Sequence, residues 1–162
     1  MAVTWKEFET AAPELASAGR RLLYQFGPSG PGLGFLATTR ADGGPRVHPV
    51  CPALHDGQLY VFVIGNSPKR HDLARDRRYA LHAFPGRTDD ESFYCTGPAV
   101  EIRDPALRAD LASAAAHNVQ PDESLFHLLL ERVLHTTWVN PRQPKTQPVY
   151  TRWRAAIESS AV

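Results

Sequence analysis

Apolar positions in the first 24 residues recur every three to four places: Trp5, Phe8, Ala12, Leu15, Ala18 and Leu22. That period predicts an amphipathic helix over residues 4–24 with one face on a core, and Thr4 with Glu7 has the spacing of a capping box. The Pro- and Gly-rich stretch 27–34 ends it, because Pro lacks the N–H donor and Gly favours open backbone. From residue 34 the period changes to two. Short segments rich in β-branched and aromatic residues at 35–40, 45–51, 58–64 and 79–84 predict antiparallel strands, with turn chemistry at Ala41 to Gly44 and at His55 to Gly57. Ser67 and Pro68 open a short helix between the third and fourth of these, with Ser67 placed to cap it. Ser92 to Arg103 reads as a long fifth strand bent at Gly97-Pro98.

Beyond it, Asp104-Pro105 caps a helix to about His117. The run Leu125, Phe126, Leu128, Leu129, Val133 is too continuously apolar for a free surface helix, so a packed helix is expected from residue 122 or 123 to 132. Segments 134–140 and 149–155 predict two last strands. The sum is a single domain over 1–162: an N-terminal helix 4–24, a barrel 34–103, helices 104–132 and C-terminal strands 134–155. Its class is mainly β with flanking helices (α+β), six or seven antiparallel strands curled into a small barrel.

Composition narrows the functional classes. Eighteen Lys+Arg against 17 Asp+Glu give a net charge of +1 over 162 residues, without the basic block that phosphate-backbone binding requires. No apolar run approaches the roughly 20 residues of a membrane span, and no secretion signal is read at residues 1–8. A cytoplasmic protein that binds neither nucleic acid nor membrane is expected, with Cys51 and Cys95 as reduced thiols. None of the seven histidines has the i, i+4 spacing with glutamate of a zinc hydrolase, so no metal site is expected.

The chemistry that stands out is cationic. Alternation in the second strand puts Arg46, His48 and Val50 on one face and Val47, Pro49 and Cys51 on the other. Ser67, Lys69 and Arg70 surround the start of the short helix, where free N–H groups and the helix dipole favour a phosphate. An arginine fork and a lysine point charge are the pairing expected around a phosphate monoester.

Several ordered segments carry a family resemblance: Phe35 to Gly43, Pro45 to Val50, Gly57 to Phe62, and Ser67-Pro-Lys69 followed by Asp72-Leu73. They resemble the pyridoxamine 5′-phosphate oxidase-like group of FMN-binding split barrels, most clearly over 34–84 and less sharply through Cys95 to Val100 and Tyr150 to Arg154. The resemblance implies a split β-barrel homodimer that binds FMN at its subunit interface and acts as an oxidoreductase on a small organic substrate. It puts Arg46, Ser67 and Lys69 on the FMN phosphate side with Arg70 beside them. It runs the backbone of Val47, His48, Pro49 and Val50 along the isoalloxazine and makes Phe62 part of the pocket wall. Tyr94, Trp138 and Trp153 would reach a site from the partner chain, with Trp153 taken as a cofactor contact. His48 is the candidate for a hydrogen bond or proton relay at the ring.

Two departures bear on substrate. Cys51 stands where pyridoxamine phosphate oxidases carry a lysine, and no C-terminal Arg-x-His segment is present, so pyridoxamine phosphate itself is not the expected substrate. Two alternatives share the fold. A reductase using the deazaflavin F420 would draw on Arg70 and Arg75 beside Lys69. A non-catalytic haem- or flavin-binding protein would use His48 or His82 as an axial ligand.

Overall fold

The computed structural model describes residues 1–85 and 90–156. Thr4 closes the expected capping box, its hydroxyl accepting from the Glu7 N–H at 3.2 Å while Glu7 Oε2 accepts from the Thr4 N–H at 2.7 Å. The helix it starts is shorter than the periodicity predicts. Helix α1 (Trp5–Ala11) stops at Ala12, whose φ of −147° breaks the spiral, and α2 (Pro13–Leu23) begins afresh with Pro13 at its first turn. Proline disfavours helical backbone in the residue before it, and it supplies no N–H to the preceding turn. Trp5, Phe8, Leu15, Leu22 and Leu23 still face one core.

Nine strands follow among the described residues, where six or seven were expected. They are β1 (Gly34–Thr39), β2 (Pro45–Val50), β3 (Pro52–His55), β4 (Gln58–Ile64), β5 (Arg78–Ala83), β6 (Ser92–Ile102), β7 (Glu123–Leu128), β8 (Arg132–Val139) and β9 (Gln147–Arg154). Helix α3 (Pro68–Arg75) joins β4 to β5, and α4 (Pro105–Ala114) joins β6 to β7. Every pairing is antiparallel, in the order β2-β1-β5-β6-β7-β4-β3. The first and last strands of that path are separated by Cys51 alone, so one bent segment pairs with β1 through β2 and with β4 through β3. The sheet therefore curls round on itself. This is the expected mainly-β split barrel, with the β8–β9 hairpin attached to the first half of β6.

Two corners make the curl possible. Asp56 and Gly57 both have positive φ (47° and 71°) between the paired residues His55 and Gln58, a two-residue hairpin turn of the type whose twist matches its strands. At the other corner, Gly97-Pro98, where the sequence predicts a bend, β6 exchanges β8 for β7 as its neighbour. A Cβ on Gly97 would lie 2.0 Å from the Leu129 carbonyl oxygen, so the backbones cross there only because glycine has none.

The expected helix over 122–132 is instead strand β7 and the turn after it. Its side chains alternate: Phe126 and Leu128 enter the main core, whereas Leu125 packs with Tyr60, Phe62 and Leu111 in a second cluster beneath α4. A strand buried on both faces loses its period of two and reads as an unbroken apolar run, which periodicity cannot tell from a buried helix. β3 escaped the sequence reading because it continues β2 round the barrel corner, with no turn residue to announce it.

Candidate functional site

Strand β2 has a strand neighbour, β1, on one side only. Its side chains alternate as expected: Val47 and Pro49 are exposed, while Arg46 and His48 are half-buried and Val50 is buried. Thr38 of β1 lies directly opposite Arg46 in the ladder, and Leu36 opposite His48. Against this pair of strands packs α3, anchored by Leu73, which is 1% exposed.

Asp72, the residue before that anchor, is carried into the interface with it and is only 3% exposed. Its Oδ2 accepts from Arg46 Nε at 2.6 Å and from Thr38 Oγ1 at 2.9 Å, and Arg75 Nη2 lies 3.5 Å from Oδ1. Burial pushes the Asp72 carboxyl up, but the hydrogen bonds from Arg46 and Thr38 and the charges of Arg46 and Arg75 outweigh it and hold the group below its usual range. It is an anion at neutral pH. A cleft of about 410 Å³ opens beside it, lined by Arg40, Arg46, Asn66, Pro68, His71 and Asp72 among others.

Ser67 occupies the N-cap position of α3 with extended backbone, but its hydroxyl does not cap. It donates back to the Ile64 carbonyl at 2.7 Å, so the expected Ser67 side-chain cap is absent and the first turn of α3 has no side-chain cap bond. Lys69 is half-buried in that turn and makes no hydrogen bond or ion pair among the described residues. Burial lowers its pKa, and the more distant Glu123 carboxylate partly offsets this. His48 feels both cations: burial first, then the charges of Lys69 and Arg46, lower its pKa, with Asp72 opposing them. Its ring is therefore neutral at neutral pH, and the buried Nε2 has no hydrogen-bond partner. Lys69 and His48 are not among the residues that line the cleft, although Pro68, the residue before Lys69, is.

The charges of Lys69 and Arg46 thus both act on the His48 ring, and Ser67 stands at the N-cap of the helix that carries Lys69. Arg70 is engaged elsewhere: its Nη2 donates to Glu101 Oε1 at 2.8 Å. Phe62, expected in the pocket wall, is 7% exposed under α4 with Leu111 and Leu125. Trp153, expected as a cofactor contact, packs on Phe8 with ring centroids 4.9 Å apart, against the main core. Tyr94 lies on the outer sheet face, in a separate cleft with Ala80, Thr96 and Arg132. The Trp138 indole donates to the Asp90 carbonyl at 2.7 Å. His82 donates through Nδ1 to the Ala83 carbonyl at 2.5 Å. Among the described residues no group of three or more His, Cys, Asp or Glu is arranged to hold a metal, and no helix is long and apolar enough to cross a membrane.

The residue that sequence reasoning missed is Asp72. It is the one acid in the basic stretch from Lys69 to Arg75, set beside the helix's core leucine, and that contrast is the signal that could have found it.

The residues fit a phosphate-bearing cofactor on one structural ground: a half-buried lysine with no hydrogen-bonded or ion-paired anion and an arginine with only its Nε engaged both act on His48 of β2. Comparison with known proteins agrees on the fold. No curated protein matches the chain. Among solved structures, a haem-binding protein from Mycobacterium smegmatis is 21% identical with a TM-score of 0.57, covering 82% of this chain and 57% of that one, so this chain spans little more than half of that protein's length. A NimC/NimA family protein from Clostridium acetobutylicum is 13% identical with a TM-score of 0.58, covering 86% and 93% of the two chains. An F420 reductase is 18% identical with a TM-score of 0.55, covering 70% and 94%. At such identities these likenesses establish the split-barrel fold alone. The sequence profile of the pyridoxamine 5′-phosphate oxidase family matches residues 24–137, most of the chain and the whole stretch from the end of α2 to β8, and to that family this protein belongs.

Proposed function

We propose that the protein binds FMN and works in the cytoplasm, as a homodimer, as a flavin-dependent oxidoreductase on a small organic substrate. The observation that carries this reading is Lys69: a half-buried ammonium with no anionic partner, acting together with Arg46 on the same imidazole. Burying a cation costs free energy unless an anion is supplied. A phosphate monoester at the first turn of α3 supplies it, with the Lys69 backbone N–H as a further donor, since Pro68 has none and the Arg70 N–H donates to the Ser67 carbonyl at 3.1 Å.

Within this reading Arg46 offers its Nη donors and Lys69 its charge to the phosphate. The free edge of β2 offers backbone N–H and C=O groups between Val47 and Val50 to the ring system. When bound, the flavin supplies two-electron, hydride-type chemistry. His48, neutral and with Nε2 unpartnered, is placed to accept or hand on a proton on that side. The partner subunit would cover Val47, exposed on the opposite face of β2, and reach the site across the free edge of that strand.

The deazaflavin alternative has weaker support in the side chains. Arg70 Nη2 donates to Glu101, and Arg75 donates to the Thr39 carbonyl beside Asp72, so each would reach a long acidic tail only with its remaining donors. Haem remains the second reading on one observation, the unpartnered Nε2 of a neutral His48. Titration of purified apoprotein with FMN, F420 and haemin, each followed by its visible spectrum, separates the three. Saturable FMN binding that is weakened in Lys69→Ala is expected; FMN that never saturates, with a Soret shift on haemin, overturns the flavin reading.

A further inference from the structure

Asp72 has a cost to explain. A carboxylate 3% exposed at a helix–sheet interface gives up most of its hydration, and an apolar residue of similar volume there would often be as stable or more so. Nor does its charge help an anion bind next door. Its geometry accounts for it. One oxygen, Oδ2, accepts from both members of a cross-strand pair, Thr38 at 2.9 Å and Arg46 at 2.6 Å, tying β1, β2 and α3 at a single point. The bond to Arg46 goes to Nε, the one guanidinium nitrogen that a bidentate contact through the two Nη atoms does not need. Arg46 is 28% exposed, so its Nη atoms still reach the cleft.

We infer that Asp72 is a positioning residue: it locks the Arg46 guanidinium through Nε so that the Nη donors are presented, already oriented, to an anionic phosphate in the cleft at the start of α3. Without it, a long side chain must be immobilised at each binding event, and the entropy lost there is taken from affinity. Thr38 completes the device. Its hydroxyl donates to the same carboxylate oxygen that accepts from Nε, and Arg75 adds charge at the other oxygen. The inference rests on the phosphate-binding reading of the site, and it adds that the acid acts only through Arg46.

Riboflavin, which lacks the phosphate, is the discriminating ligand. In fluorescence titrations, Asp72→Asn is expected to weaken FMN about tenfold or more while riboflavin affinity stays within about twofold. In an Arg46→Ala background, adding Asp72→Asn is expected to change FMN affinity less than about twofold, because the partner it positions is gone. A second readout does not involve the flavin: in ligand-free protein the Arg46 Nε–H NMR resonance, assigned by its loss in Arg46→Lys, is expected to be protected from exchange in the wild type and exchange-broadened in Asp72→Asn. Equal loss of FMN and riboflavin, full additivity in the double variant, or an Arg46 resonance indifferent to Asp72→Asn each overturns the proposal. If wild-type protein binds no FMN at all, the flavin reading fails. The resonance then still decides whether Asp72 fixes Arg46.

Discussion

Lys69 on α3 and His48 on β2 are held near enough that the ammonium, with Arg46 and after burial itself, lowers the proton affinity of the imidazole. Both groups have pKa values below their free-residue values, Lys69 through its burial. A dianion arriving between them reverses the sign of the local field and raises both. A rise on binding means that protons are taken up, so affinity should strengthen as the pH falls from about 8 to about 6.5, above the second phosphate ionisation near pH 6. Calorimetric titration with FMN in buffers of different ionisation enthalpy should show net proton uptake, reduced in His48→Gln. Zero uptake in every buffer removes the imidazole from the neighbourhood of the phosphate.

Truncating Lys69 tests the same arrangement without pH. Lys69→Ala removes a charge-assisted hydrogen bond and should weaken FMN by about 1–3 kcal/mol. Thermal stability of the apoprotein should hold or rise slightly, because the ammonium has no partner among the described residues and burial opposes its charge. A drop in apoprotein Tm would show that the lysine is structural.

How much of this was legible follows from which forces act locally. Strands β1, β2, β5 and β6 announced themselves because one face of each meets less protein, leaving the period of two intact. β4, buried from Leu59 to Val63, was legible only through its β-branched and aromatic residues next to the His55 to Gly57 turn. β7 did not announce itself, because α4 covers the face that would have been polar. Arg46 and Lys69 could be read as phosphate ligands since charge type and helix position are local properties. Phe62 and Trp153 could not be placed: an aromatic residue is apolar on either face of a strand, and only the packing of α4 and α1 decides which. Asp72 depends on a register, Thr38 opposite Arg46, that exists only once β1 and β2 have paired.

The placement of Trp153 gives a prediction that separates packing from recognition. Its ring rests on Phe8 at 4.9 Å, and Val133 lies opposite it in the β8–β9 ladder. Trp153→Leu should cost about 1–3 kcal/mol of stability in urea denaturation, with FMN affinity changed less than about twofold. An unchanged denaturation midpoint with lost flavin binding would return Trp153 to the cofactor.

The sharpest structural test is at the barrel corner. Gly97 carries β6 from one set of partners to the other, and a methyl group there would sit 2.0 Å from the Leu129 oxygen and 2.9 Å from its carbon. Neither strand can step aside cheaply. The Leu129 N–H donates to Pro98 at 3.0 Å and the Glu131 N–H to Thr96 at 2.7 Å, so the bonds on both sides of the crossing pin it. Tyr79, wholly buried, also donates its hydroxyl to the same Leu129 carbonyl at 2.9 Å, and a displaced carbonyl would leave that hydroxyl unpaired. Gly97→Ala should therefore cost at least about 3 kcal/mol, beyond the usual range for a surface or loop glycine. The same change at Gly43, where a Cβ meets nothing within 4 Å but φ is +83°, should cost only about 1 kcal/mol of backbone strain. Chemical denaturation of the two variants side by side checks the ranking, and equal midpoints would mean that the two strands do not cross where Gly97 places them.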